Sequence, residues 1–216
     1  MSEVKIRAAT SEDYPATEFV IREAFWNVFK PGTDVHWATH LVREWDSYIP
    51  QLDFVALDGE KIVGNVVSRK AAIVGDDGIT YVTVRLGPLA VLPKYQRQGI
   101  GRQLIEKTVE TAREMKFRSI MLLGDPEYYL KRGFKPAEAF GIRNAKNFYI
   151  ERLHAFELYE GALVSGRYLN QSKYKFDAEQ FKIFDGKFPD KELLTDTPSQ
   201  LRLKQLKTMK RRAERR

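Results

Sequence analysis

The sequence has 216 residues, of which 43% are hydrophobic and 30% charged, and it contains no cysteine. That is the composition of an ordinary globular chain, long enough for one domain with appendages; the missing cysteines exclude disulfides, thiolate catalysis and cysteine-ligated metals, and fit a cytoplasmic protein. The formal net charge of +7 belongs to the tail: residues 201–216 hold eight Lys/Arg against one Glu, which leaves 28 charges of each sign in the first two hundred residues. No run of eighteen apolar residues suggests a transmembrane helix, and the opening stretch MSEVKIRAATSEDY lacks the basic-then-apolar layout of a secretory signal.

Along the chain, Lys5–Ala9 alternates like an edge strand, and Thr10–Asp13 is a helix-start cluster. Val20, Ala24, Phe25 and Val28 recur at helical spacing and predict a helix that Pro31-Gly32 stops. Residues 34–49, with Trp37, Leu41, Val42, Trp45 and Tyr48, predict a second, aromatic-rich helix. Phe54–Leu57 and Ile62–Val67 flank Asp58-Gly59, a dipeptide suited to a tight hairpin turn. Gly75-Asp-Asp-Gly78 turns the chain into a long strand over Ile79–Leu92, where Pro88 removes a ladder donor and predicts a bulge or splayed edge. Gly101–Met115 is the clearest helix, with Leu104, Ile105, Thr108, Val109, Ala112 and Met115 along one face. Ser119–Leu123 reads as a strand buried on both faces, and Pro126–Lys131 as a short helix ended by Gly133. Further strand candidates are Asn147–Ile150 and Ala155–Leu158. A helix pair, antiparallel hairpins and then a strand–helix–strand unit predict one α/β or α+β domain with a mixed sheet.

The most informative stretch runs from Leu89 to Leu104. An apolar strand enters a loop containing Gly99 and Gly101, and the amphipathic helix follows at once. Glycines let a ligand approach the backbone, and the unpaired N–H groups of a helix start, aided by the helix dipole, attract anions. Arg97 and Arg102 add positive charge at the same place. The alternative is a plain strand-to-helix turn. No GKS or GKT follows, so this is no Walker loop, and Leu104 occupies the third glycine position of the dinucleotide fingerprint.

Gln96-Arg-Gln-Gly-Ile-Gly101 matches the Q/R-x-x-G-x-G/A motif, and on it the chain resembles the GNAT (GCN5-related N-acetyltransferase) superfamily over roughly Val4 to Leu158. Gly124-Asp-Pro-Glu-Tyr-Tyr-Leu-Lys-Arg-Gly-Phe134 resembles that superfamily's second conserved helix, in particular in a bacterial branch of YhbS-like predicted acetyltransferases, and Phe156-Glu-Leu-Tyr-Glu-Gly-Ala-Leu163 resembles the same branch. The resemblance implies a largely antiparallel mixed sheet flanked by helices, with two splayed parallel strands, Leu86–Leu92 and Ser119–Leu123, forming an acetyl-CoA cleft. It implies that backbone groups of Leu89, Ala90 and Val91 hold the pantetheine arm. Arg97, Gln98, Gly99, Ile100, Gly101 and Arg102 would wrap the pyrophosphate, and Asp125 stands near an asparagine that contacts CoA in relatives. Tyr129, five residues before Phe134, would be the general acid that protonates the departing CoA thiolate; Tyr128 and Tyr129 could instead simply pack a short helix. Relatives often carry a base glutamate on the splayed strand, but this sequence has Thr80, Thr83 and Arg85 there. Glu44, His40 or a chain of waters is left for that role.

On this reading the chain is an enzyme, an acyltransferase that moves acetyl from acetyl-CoA to a primary amine of a small molecule or a protein, as a monomer or homodimer and without metal. The competing reading is a non-catalytic acyl-CoA-binding protein with an RNA- or ribosome-associated role through its tail. Residues 1–160 form the transferase domain, 161–196 an extension packed on or near it, and 197–216 a basic helical tail opened by the capping box Thr197-Pro-Ser-Gln200. The tail, with Leu201, Leu203, Leu206 and Met209, reads as a solvated helix, a weak electrostatic contact for RNA, or an anionic membrane contact. His36, His40 and Glu44 share one helical face, as metal ligands or as an exposed polar face opposite Trp37, Leu41 and Trp45; His154 reads as structural. Trp26, Phe29, Trp37, Trp45 and Tyr48 read mainly as core, with one or two lining an acceptor pocket.

Overall fold

A computed structural model describes residues 4–170, 174–208 and 210–212. In chain order the elements are β1 (Lys5–Ala8), α1 (Tyr14–Phe25), α2 (Val35–Val42), β2 (Phe54–Asp58), β3 (Lys61–Gly75) and β4 (Thr80–Val91). Then come α3 (Ile100–Glu114), β5 (Ser119–Leu123), α4 (Pro126–Tyr129), β6 (Lys135–Pro136), β7 (Ile142–Asn144), β8 (Phe148–Ile150) and β9 (Leu153–Glu157). The chain closes with β10 (Gly166–Leu169), α5 (Ala178–Asp185), α6 (Pro198–Thr208) and β11 (Lys210–Arg212). The chain divides into two compact units, one built from residues 1–68, 87–108 and 172–202, the other from 69–86, 109–171 and 203–216.

In the first unit β1, β2 and the start of β3 form an antiparallel meander. Asp58 pairs with Lys61, so the hairpin loop is Gly59-Glu60, one residue beyond the expected dipeptide, with Gly59 at φ +60 supplying the left-handed position. Val55, Ala56, Val63, Val66 and Val67 are buried in the sheet, and Ile100 and Leu104 at the head of α3 join them. Two helix expectations need correction. α1 ends at Phe25, not at Pro31, because Asn27 closes a loop instead: its N–H donates to the Gly32 carbonyl at 3.1 Å, and its side-chain oxygen accepts from Gly32 N at 2.8 Å. α2 ends at Val42, not residue 49, and the next residue, Arg43, turns inward to pair with the fully buried Asp53 at 3.1 Å.

α5, unforeseen from the sequence, completes this unit. Asp177 caps it by accepting from the backbone of Glu179 and Gln180, both at 3.0 Å. Its last residue, Asp185, receives Arg22 Nε at 2.7 Å and His36 Nε2 at 2.9 Å, and Phe181, Phe184 and the following Phe188 ring His36 at 5.2–5.9 Å. His36 is therefore core and fully buried, not part of an exposed polar face.

The second unit carries the rest of the sheet. β10 pairs with the end of β3 and, in parallel, with β7; β4 pairs in parallel with β5; β5 and β6 flank β9 antiparallel. Ile73, Met121, Ile142, Leu153, Ala155 and Tyr168 form its core. Thr83 on β4 donates to the Ser119 carbonyl and meets the Ser119 hydroxyl, each at 2.8 Å, which fixes the start of the parallel pair. The tail is only partly helical. α6 stops at Thr208 and Lys210–Arg212 pairs with β8; Met209 and residues 213–216 lie outside the described residues. Thr197 accepts from Gln200 N as a cap should, but the Gln200 amide reaches the Asn27 and Leu194 carbonyls, so the reciprocal half of the expected box is missing.

Burial holds the pKa of His36 down to about 4 despite the opposing pull of Asp185. An unfolded histidine binds its proton near pH 6.5. Between these values the unfolded chain holds more protons, so stability is lost as pH falls from about 6.5 toward 4. In denaturant titrations, the stability gap between wild type and His36→Gln should shrink as pH drops through that window; a constant gap would contradict it.

Candidate active site

The first unit presents the glycine loop. β4 ends at Val91, and Leu92 still donates to the Val63 carbonyl at 2.9 Å, so the loop leaves from a fixed edge. Pro93–Tyr95 make one 3-10 turn, and Tyr95 ties it down by donating to Asp58 at 3.1 Å. Gln96, Arg97, Gln98 and Gly99 are exposed. Arg97 sits at φ +61 and Gly99 at φ +88, with nothing within 4 Å of where a Gly99 Cβ would stand. These left-handed residues turn the strand into the helix. The first helical bond runs from Gln103 N to the Gly99 carbonyl at 3.1 Å, so the N–H groups of Ile100, Gly101 and Arg102 have no carbonyl one turn earlier. They form the positive end of a fifteen-residue helix, where an anion is stabilised.

Buried Ile100 holds that helix end in place. It can approach because β3 has a glycine beneath it: a Cβ at Gly64 would stand 3.2 Å from both Ile100 Cγ2 and Leu104 Cδ1. The side chains around the loop are less free than the sequence suggests. The Arg102 Nε donates to Glu106 at 2.7 Å, Gln98 donates to the Lys94 carbonyl at 2.9 Å, and Gln96 donates to the Val91 carbonyl at 3.0 Å. Ala90 is buried, and Leu89 and Val91 are half-buried.

The second unit presents Tyr129. It ends α4, a single turn capped by Asp125, whose Oδ1 accepts from Glu127 N at 2.9 Å. The Asp125 side chain is thus engaged in the cap. The Tyr129 ring covers Gly124, where any Cβ would collide with it. It packs edge-on to Tyr128 and Phe134 and lies 6.1 Å from His154, centroid to centroid. Its hydroxyl donates to no protein group among the described residues. Burial pushes the phenol well above its ordinary pKa, the neighbouring Tyr128 adds to this, and Arg85, Arg132 and Arg152 oppose it. Tyr129 is therefore a neutral O–H at physiological pH. Tyr128 has a different setting, with the Arg132 guanidinium stacked 3.4 Å from its ring centroid.

The remaining candidates disperse. His40 Nδ1 meets Glu18 at 2.8 Å and Glu44 is exposed. Among the described residues no three His, Asp or Glu form a metal-sized group. Trp37 is buried against His40 and Phe184, Trp26 donates to the Glu192 carbonyl, Tyr48 donates to Asp53, and Phe29 is exposed. His154 is fully buried, its Nδ1 2.8 Å from the Arg152 carbonyl, and burial lowers its pKa. Arg85 and Arg152 were not assigned from sequence. A charge inside the apolar run Tyr81–Leu86 marked the first; nothing local marked the second.

The parallel β4–β5 pair in a mixed, mainly antiparallel sheet, with a glycine loop at a helix head, defines a class, and comparison with known proteins gives it a name. Residues 52–136 match the Acetyltransferase (GNAT) domain. The chain is 30% identical over 139 residues to the uncharacterized N-acetyltransferase YhbS of Escherichia coli K12, spanning 64% of this chain and 77% of that protein. It is 31% identical to the uncharacterized N-acetyltransferase YjhQ of the same strain, where the match spans 63% of YjhQ. The crystal structure of Escherichia coli YhbS in complex with CoA superposes with a TM-score of 0.67 at 26% identity, covering 76% of this chain and 88% of that one. A GNAT acetyltransferase from Brucella melitensis, in complex with acetyl-CoA, shares the fold with a TM-score of 0.63 at 22% identity over 79% of this chain and 97% of that one. The chain belongs to the GNAT family of N-acetyltransferases.

Because Gly64 sets how closely the head of α3 lies on β3, Gly64→Val should destabilise the protein by about 1–3 kcal/mol through overpacking. Thermal denaturation reads this as a lowered Tm; an unchanged Tm would contradict the close contact.

Proposed function

We propose that this chain transfers the acetyl group of acetyl-CoA to a primary amine by direct attack on the thioester. The observation that carries the reading is the exposed head of α3, where free N–H groups and a left-handed Gly99 offer the backbone to a phosphate. Acetyl-CoA supplies an activated acyl carbon and a thiolate leaving group. The main chain of Arg97 through Arg102 binds the pyrophosphate, and Leu89, Ala90 and Val91 bind the pantetheine arm. Residues 1–160 act as the transferase domain, with 161–196 as an extension of it.

Tyr129 acts as the general acid. The amine nitrogen forms a bond to the acyl carbon, the carbon–sulfur bond breaks, and the sulfur takes the phenolic proton. The proton released by the amine returns through solvent to the phenolate, which restores the resting enzyme. A phenol raised by burial suits this cycle, since it stays protonated until needed and is a strong base immediately afterwards.

Tyr129→Phe should lower kcat by about 10²- to 10⁴-fold, the usual range for a lost general acid, with little change in the KM for acetyl-CoA. Steady-state assays of thiol release read both constants. Unchanged kcat would remove Tyr129 from the mechanism. Acetyl-CoA binding without transfer to any of a broad set of amines would favour a binding protein over an enzyme.

A further inference from the structure

Three of the partly or fully buried arginines are held by a carboxylate. Arg22 pairs with Asp185, Arg43 with Asp53 and Arg143 with Asp76. Arg85 and Arg152 are not so held. Both are half-buried, both have a buried Nε that meets no hydrogen-bond acceptor, and neither forms an ion pair among the described residues. Arg85 Nη1 donates at 3.0 Å to the carbonyl of its own neighbour, Leu86. A guanidinium keeps its charge at any physiological pH, and a buried charge without a counter-charge is expensive.

The two also share a neighbourhood. Arg85 stands opposite Met121 on β5, and Met121 opposite Ala155 on β9. Arg152 immediately precedes β9, and its carbonyl accepts from Gly124 N at 2.9 Å, beneath the Tyr129 ring. Like charges are being held together. Burial, followed by the Arg85 charge, lowers the pKa of Arg69 to about 10 and lowers that of Arg152 as well. Arg69 directs both terminal nitrogens to the neutral Asn170, at 2.7 and 2.8 Å. Asp125, whose Oδ1 also caps α4, favours the charged form of Arg152.

We propose that Arg85 and Arg152 form an oxyanion-binding subsite beside Tyr129, and that the amine acceptor carries the compact carboxylate or phosphate they hold. The inference rests on the acetyl-transfer reading and narrows it to acidic amines. The arginine fork suits such groups because it donates two parallel, charge-assisted hydrogen bonds to planar or tetrahedral oxyanions. Holding the acceptor by its anion leaves the amine free to react.

The test uses the full chain with acetyl-CoA and matched acceptors: the common L-amino acids and β-alanine beside their carboxamides, and O-phosphoethanolamine beside ethanolamine. Thiol release should show at least one anionic acceptor with kcat/KM about 10-fold or more above its uncharged partner, and the favoured pair tells carboxylate from phosphate. Arg85→Gln and Arg152→Gln should each raise the KM for that acceptor about 10- to 100-fold, as expected for a lost charged hydrogen bond. CoA affinity by calorimetry should stay unchanged, and Arg85→Lys should recover part of the KM. Uncharged partners accepted equally well, or variants with unaltered KM, would overturn the subsite. A parallel loss of CoA affinity would do so too, since the arginines would then serve the donor. If no amine is acetylated, calorimetry with inorganic phosphate and N-acetylglycine decides. Binding lost in the variants would uphold the subsite and count against the transfer reading alone; absent or unaltered binding would overturn the subsite.

Discussion

The parallel pairing of β4 with β5 is two residues long, Val84 opposite Ile120 and Arg85 opposite Met121, and the surroundings of Tyr129 depend on it. Thr83 and Ser119 lock its start with two hydroxyl contacts. From there β5 hands the register to β9 through Met121↔Ala155 and Leu122↔His154. That register brings Arg85, Arg152 and His154 to the turn where α4 leaves β5. Gly124 then decides where Tyr129 goes, because only a residue without Cβ leaves room for the ring. The Tyr129 phenol is set among cations, which by themselves would favour its ionisation. Desolvation is the larger effect, and the phenol remains a donor.

The first unit solves a different problem by similar means. An anion-attracting helix end must be open to solvent yet fixed in position. The exposure comes from residues 96–99, and the fixing comes from Ile100 and Leu104 buried against the sheet over Gly64. Behind them, polar groups are tied to one another: Asp53 accepts from Arg43, Tyr48 and Asn65, and Asp185 accepts from Arg22 and His36. Such pairs are strongly destabilising when one partner is lost. They position α1, α2 and α5.

How far the sequence carried this account depended on how local each signal was. β5 fell on the expected Ser119–Leu123 and α3 within one residue of its expected span, because a short apolar run and a strong amphipathic period are self-contained. The glycine loop was legible for the same reason. β7 and β10 were not, since Ile142–Asn144 and Gly166–Leu169 have no alternation of their own and are strands only because each pairs with a distant segment. α1 and α2 were read too long, as hydrophobic spacing continued past residues whose side chains close loops or turn inward, Asn27 and Arg43. Tyr129 was marked by its motif, but its contact with Gly124 and its arginine neighbours required the sheet register. His36 shows the converse error: spacing put it on a polar face, and α5, about 140 residues later in the chain, made that face core.

The central claim is that the head of α3 binds the phosphates of acetyl-CoA, and calorimetric titration tests it most directly. The full chain would be titrated with acetyl-CoA, CoA and ATP beside Gly99→Glu, a change that strains a φ +88 position and sets a negative charge where the anion belongs. The account predicts micromolar binding of acetyl-CoA and CoA that the variant abolishes. Absence of CoA binding, or a preference for ATP, would contradict it.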